Sequence, residues 1–294
     1  AFLTSLTFVA PVTDARRLKR RFLLKENDKL TIHDRSLDHP GAPAGLPELD
    51  SHTAGEEGRQ PAGLSLKLKS TFNRMCGVPV EVDLSPYRRI VGRIHASGKE
   101  TGLGGLSDDD LKRRSLSLTQ RVKAGFPPEK ATVEAFALVD EAARRALGLV
   151  PHDVQLIAGL AMCGRKIAEL PTGEGKTLAA VFPASLFAMT GRGVHILTFN
   201  DYLARRDAAW MGPVYRLLGL SVGVVQEGLS KAAKREAYAR EITYATAKEA
   251  GFDFLRDGLA YETGDLVHRP FHMALLDEAD SILIDEARIP LVIA

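Results

Sequence analysis

Two short stretches carry residue types suited to phosphate chemistry. The first is Leu170-Pro171-Thr172-Gly173-Glu174-Gly175-Lys176-Thr177. Its glycines would let backbone N–H groups turn inward around phosphate oxygens. A helix starting directly after them adds its positive N-terminal end. Lys176 would meet the β and γ phosphates of a nucleotide as a point charge, and the Thr177 hydroxyl would hold Mg2+. The second stretch is Leu275-Leu276-Asp277-Glu278-Ala279-Asp280, an apolar run that ends in adjacent carboxylates. Asp277 at the tip would hold Mg2+, directly or through water. Glu278 would polarise the attacking water as general base. Taken alone, each stretch has a plainer reading: a glycine turn joining strand to helix, or acids capping a helix. Together, in one strand–helix pattern, they specify a site for ATP and Mg2+, with Glu278, Lys176 and Asp277 as the catalytic set. One position departs from the usual phosphate-loop spacing: Leu170 stands where that pattern has its first glycine.

Such a site needs a strand before the loop, a helix after it and a second strand carrying the acids. The apolar run 166–170 predicts the first strand, 176–190 the helix (with Pro183 inside it) and 272–276 the second strand. Between them, strands are expected at 193–198, 220–225 and 242–245, alternating with helices at 202–218, 231–240 and 248–256. This alternation predicts an α/β domain with a parallel sheet covered by helices on both faces. Upstream, Ser107 followed by Asp108, Asp109 and Asp110 reads as an N-cap with acids in the first turn. That helix runs to about Ala124 and is stopped by Gly125-Phe126-Pro127-Pro128. Further helices are expected at 132–147, ended by Gly148, and at 153–162. Residues 2–10 read as a strand, and 22–24 and 30–32 as two small strands. Residues 36–63 read as a flexible Pro/Gly-rich linker. The expected division is an N-terminal extension 1–83, a helical segment 84–150 and the nucleotide-binding domain 151–294.

Composition bounds the rest. The chain has 294 residues, 45% of them apolar, which is enough for a sizeable core. Its formal net charge of +2 does not favour nucleic-acid binding through bulk electrostatics. Two lone cysteines, Cys76 and Cys163, cannot make a metal site. They read as reduced thiols of a cytosolic protein, with a Cys76–Cys163 disulfide as the alternative. No apolar run reaches the length of about 20 residues that a membrane span needs. The start at Ala1 and the end at Ala294 suggest trimmed termini.

The text around and between the two motifs is specific. It contains Asp153-Val154-Gln155-Leu156, then Asn200-Asp201-Tyr202-Leu203-Ala204 with Arg206-Asp207, then Lys234-Arg235-Glu236-Ala237-Tyr238. Ile242-Thr243-Tyr244, Gly251-Phe252-Asp253-Phe254-Leu255-Arg256-Asp257 and Asp280-Ser281-Ile282-Leu283-Ile284-Asp285-Glu286-Ala287-Arg288 follow. From about Ser85 to Ala294 this series resembles the first nucleotide-binding domain of the SecA preprotein translocase ATPases. The resemblance implies a RecA-like motor fold, preceded by a helical pre-motor region. It implies that Gln155 reads the adenine edge and that Thr172, Gly173, Glu174, Gly175, Lys176 and Thr177 hold the nucleotide. Asp201 and Arg206 would line the motor cleft, and Arg256 and Asp257 would lie in a neighbouring motif or form a surface ion pair. The activity implied is ATP hydrolysis coupled to export of an unfolded preprotein through the Sec membrane channel. The implied location is the cytoplasmic face of the plasma membrane, peripherally bound. The basic cluster Arg16 to Arg21 could touch anionic lipid, and the longer protein could form a homodimer. No nucleic acid is expected. The family's second motor domain is absent from this text, so the chain alone should hydrolyse ATP weakly or not at all. A nucleic-acid helicase of superfamily 2 and a non-hydrolysing nucleotide-dependent module are the alternative readings. Val150-Pro151-His152, Ala245-Thr246-Ala247-Lys248-Glu249-Ala250 and the Ala in Asp277-Glu278-Ala279-Asp280 depart from the family pattern. They point to a divergent or accessory member.

Overall fold

The computed structural model describes residues 84–171, 173–286 and 289–293, together with the backbone of 5–10 and 31–33. The strand expected at 22–24, the linker 36–63, the basic cluster Arg16 to Arg21, Cys76, Thr172 and Arg288 lie outside the described residues.

Four parallel strands form the core of the sheet: β4 (Val194–Thr198), β5 (Val222–Val224), β6 (Ile242–Thr246) and β7 (Met273–Leu276). Three more extend it on one side: β1 (Ser5–Ala10), β2 (Thr31–His33) and β3 (Ile167–Leu170). The spatial order is β2-β3-β1-β7-β4-β6-β5. β1 runs antiparallel to both β3 and β7, and β2 antiparallel to β3. The sequence pattern predicts strands near 2–10 and 30–32, but not their insertion here.

The helices are α1 (Ser85–Glu100), α2 (Asp108–Lys123), α3 (Pro128–Leu147), α4 (Asp153–Cys163), α5 (Lys176–Ala188), α6 (Asp201–Leu217), α7 (Lys231–Tyr238) and α8 (Ala247–Asp257). Local chemistry explains their ends. The Ser107 hydroxyl accepts the Asp110 N–H at 3.1 Å and caps α2. Pro128 sits in the first turn of α3, where its missing N–H costs nothing. The helix therefore starts before the expected residue 132. Gly148, at φ 66°, closes it in the left-handed region. Helix α1 lies within the segment 84–150 expected to be helical, although the local pattern before Ser107 marks no individual helix. Its two glycines weaken the local propensity. Tyr87, Ile90, Val91 and Ile94 nevertheless form one buried stripe, and packing against α3 and α4 decides the outcome.

Alternation along the strands separates two cores. Met273 and Leu275 of β7 join Val194, Ile196, Ile242 and Tyr244 in a large core shared with α1 to α6. Ala274 and Leu276 face the other side, with Ala279 and the partly buried Ile167 and Leu197. Farther along that side, Ala245 packs with Val225, Tyr238 and Val267 beneath α7 and α8. The sheet is thus covered on both faces. No helix among the described residues is long and apolar enough to cross a membrane. Cys163 is a free thiol buried at the end of α4, and burial raises its pKa.

Candidate functional site

β3 delivers the chain to the loop at Leu170, and the loop delivers it to α5 at Lys176. Gly173 and Gly175 both have positive φ, 91° and 76°, which an L side chain rarely adopts. Gly175 caps α5, its carbonyl accepting the N–H groups of Leu178 and Ala179. Lys176 and Thr177 are the first two residues of that helix and are half-buried.

Gln155 on α4 holds this loop from behind. It is 6% exposed. Its Oε1 accepts the His152 N–H at 3.0 Å, and its Nε2 donates to the Glu174 carbonyl at 2.9 Å. A Cβ on Gly175 would collide with that Nε2. Both ends of its amide bridge the start of α4 and the loop.

The acids leave β7 beside β4, where the Asp277 N–H donates to the Leu197 carbonyl at 2.9 Å. Asp277 Oδ1 accepts the Glu278 N–H at 3.1 Å. Burial raises the Asp277 carboxyl to a pKa of about 6, and the charges of Asp207 and Glu278 push the same way. The Lys176 ammonium pulls it down. Loop lysine and strand-tip carboxylate thus lie within electrostatic reach, although a hundred positions separate them in the numbering. Glu278 adopts φ 56°, one of two non-glycine residues with positive φ among those described. Such geometry costs energy and concentrates at functional sites. Asp280 follows, with a buried Oδ1 that has no hydrogen-bond partner. The chain then makes a π-helical turn at Ser281–Asp285.

Asp207 is a site residue that the sequence analysis did not single out. It is 2% exposed on α6 and bound to Arg206, whose Nε and guanidinium nitrogen both lie 2.8 Å from its Oδ1. Its charge reaches Asp277 as well as the buried Tyr215 and Tyr244, whose hydroxyls are 3.2 Å apart. The available signal was its place on the buried stripe of α6 with Ala204, Ala208 and Met211.

Other expected residues go elsewhere. Asp201 accepts the Glu227 N–H at 3.3 Å and lines a separate cavity of about 910 Å³ with Asn200, Lys248, Arg256, Tyr261 and Glu286. No residue of 173–177 or 277–278 lines that cavity. Arg256 and Asp257 do not pair with each other. Arg256 reaches Asp253 at 2.7 Å and Glu249 at 3.4 Å. Asp257 accepts the N–H groups of Val267 and His268, each at 2.9 Å, and meets His268 Nδ1 at 2.9 Å. Behind them, the buried Lys234 ammonium donates to Glu249 and, at 2.8 Å, to Asp253, joining α7 to α8. Among the described residues, no cluster of His, Cys, Asp and Glu is arranged to hold a metal by itself.

With this geometry in place, comparison with known proteins is decisive. Residues 72–294 match the SecA DEAD-like domain. The chain belongs to the SecA family. It is 48% identical over 223 residues to the protein translocase subunit SecA of Geobacter sulfurreducens, covering 76% of this chain and 25% of that one. It is 52% identical over 227 residues to the SecA of Coxiella burnetii, covering 77% and 25%. The chloroplastic SecA of Ostreococcus lucimarinus is 48% identical over 218 residues, covering 74% and 23%. The chain spans about a quarter of the length of the SecA relatives it matches. The SecA resemblance and the RecA-like α/β fold expected from the sequence are both borne out.

Proposed function

We propose that this SecA-family chain is the ATP-binding motor domain of a protein-translocation ATPase. The observation that carries this reading is the convergence of Lys176 on the loop with Asp277 and Glu278 at the tip of β7. The residues present fit Mg·ATP. Two positive-φ glycines open the loop backbone, a helix begins at the loop's end, and Asp277 supplies hard carboxylate oxygen. Asp277 and Thr177 would hold the metal, and Lys176 and the loop 172–177 the phosphates. When bound, Mg2+ would neutralise charge developing on the phosphates. Glu278 would accept the proton of the attacking water, its backbone turned aside from Asp277 by the left-handed conformation. Gln155 would act on the nucleotide through the loop it braces as well as through any adenine contact.

Our division of the chain follows: an extension 1–83, helices 84–150 and the nucleotide-binding portion 151–294. Translocation itself is proposed for a longer protein containing this domain, since the relatives are about three times its length. There the partners would be an unfolded preprotein and the Sec channel at the inner face of the membrane, with contact to anionic lipid and homodimerisation as finer expectations. Arginines from a second domain can contribute 10³–10⁵ in rate in phosphoryl transfer. This chain alone should bind nucleotide and turn it over slowly at most.

The test is calorimetric or thermal-shift titration with Mg·ADP. At a hundredfold excess over the dissociation constant it should add about 2.7 kcal/mol of stability, and Lys176→Ala should abolish the gain. An equal shift in Lys176→Ala would overturn the site.

A further inference from the structure

Helix α1 reaches the phosphate loop through a short run of hydrogen bonds. His95 Nε2 lies 2.9 Å from Asp153 Oδ1. A carboxylate oxygen accepts, so Nε2 is the donating nitrogen. Asp153 opens α4. Beside it, the His152 N–H donates to Gln155 Oε1 at 3.0 Å, and Gln155 Nε2 donates to the Glu174 carbonyl at 2.9 Å. Three hydrogen bonds thus lead from α1, across the first turn of α4, to the loop ahead of Lys176 and Thr177. That first turn is the weakly anchored part of α4. Every residue from Gln155 to Cys163 is buried. Gly148, Leu149, Val150, His152 and Asp153 are exposed, and Pro151 alone is buried between them.

On the reading of 172–177 as a phosphate-binding loop, we infer that His95 is a positioning residue for that loop. It fixes the first turn of α4, and with it the Gln155 amide that braces Glu174. The base it works from is rigid. Ile94, its neighbour in α1, is 1% exposed, and the buried stripe of α1 packs against α3 and α4. His95 also faces α3. Burial pushes the Asp140 carboxyl of α3 up, Arg144 and His95 oppose that rise, and Glu141 adds to it. Asp140 Oδ2 accepts from Arg144 at 3.2 Å, while its buried Oδ1 has no hydrogen-bond partner among the described residues. The imidazole therefore stands where α1, α3 and α4 meet, with a carboxylate on each of the other two helices. At the far end, the loop has little freedom to absorb a shift. Gly175 lies at φ 76°, and beside Gln155 Nε2 there is no room even for a Cβ. A displaced Gln155 amide is felt by the backbone that would cradle phosphate. The His95 side chain is 40% exposed and that of Asp153 71%. An exposed pair of this kind adds little to global stability. Its effect belongs in the geometry of the loop.

The experiment uses the full chain and its His95→Ala, His95→Gln and Gln155→Ala variants, with Mg·ADP and pyrophosphate as probes in calorimetric titration. His95→Ala should weaken both probes alike, by about two- to fivefold, the range open to one exposed contact. His95→Gln keeps an N–H donor for Asp153 and should restore most of the loss. In the Gln155→Ala background, His95→Ala should cause no further loss, because the path to the loop is already cut. Amide exchange in His95→Ala should speed up at 153–156 and 174–177 and stay unchanged in β4 and β6. Unchanged affinity in His95→Ala would overturn the inference, and so would an equal loss in both backgrounds. Failure of the nucleotide reading looks different: the wild-type chain would then bind neither probe. Amide exchange still decides on His95 in that case, and an unchanged rate at 174–177 in His95→Ala would remove its positioning role.

Discussion

Gln155 donates from Nε2 to the Glu174 carbonyl at 2.9 Å, tying helix α4 to the phosphate loop. The same amide accepts the His152 N–H at 3.0 Å. Gln155→Ala would remove both part-buried hydrogen bonds, at a cost of about 1–3 kcal/mol for the pair. Urea unfolding measures that cost. Nucleotide binding separates the two roles open to this residue. A glutamine that only reads adenine would leave pyrophosphate binding untouched, whereas a strut for the loop weakens ADP and pyrophosphate alike. Equal pyrophosphate affinity in wild type and Gln155→Ala would remove the strut.

Gly175→Ala should be worse than an ordinary loop substitution. The φ of 76° is strained for alanine, and its Cβ would collide with Gln155 Nε2. In a double-mutant cycle, Gln155→Ala should relieve part of the Gly175→Ala penalty, because the overlap disappears while the backbone strain stays. Strict additivity would mean that the two residues are not in contact.

His195 makes the fold acid-sensitive. Burial, with the charges of His268 and Arg269, holds its imidazole down to a pKa of about 4. The Met273 backbone pulls the other way. Its ring packs against Tyr238, His268 and Phe271. A depressed folded pKa means that the native state binds fewer protons than the unfolded one below the ordinary value of 6.5. Stability is then complete above that value and falls as pH drops toward 4, by about 3 kcal/mol for such a shift. His272 is held near 4 as well and adds to the loss. His195→Phe keeps the ring contacts and should flatten the stability profile between pH 6.5 and 4, leaving the share of His272. An unchanged slope in denaturant midpoints at pH 7 and 4.5 would rule this out.

Lys234 is the buried cation between Glu249 and Asp253, and the Tyr238 hydroxyl donates to the same Asp253 at 3.0 Å. Lys234→Met should cost about 3–5 kcal/mol, since it strands two buried carboxylates. Arg256, half-exposed and 2.7 Å from Asp253, can offset only part of that. A loss under about 1 kcal/mol in urea would show that Arg256 substitutes fully.

Glu278 carries backbone strain at φ 56°. Glu278→Gly should therefore stabilise the fold by about 1 kcal/mol. Glu278→Gln keeps the strain and should leave stability near wild type. In a protein containing both motor domains, either change should retain ATP binding and stop hydrolysis. Unchanged turnover in Glu278→Gln would remove it as general base.

The sequence by itself determined the loop 170–177, the acids 277–280 and the alternation that orders β3 to β7 with their helices. Glycines before Lys176, and carboxylates after an apolar strand, are local signals, written in neighbouring residues. Only the tertiary structure decided what those residues meet. Asp207 reaches Asp277 because α6 packs over β4, and Lys234 of α7 meets Glu249 and Asp253 of α8. Gln155 spends its amide on Glu174, and β1 enters between β3 and β7. Each of these is a contact between segments distant in the chain. Periodicity reports which face of an element is buried, but not which distant group lies against it. That is settled when the elements pack and every buried polar group must find a partner.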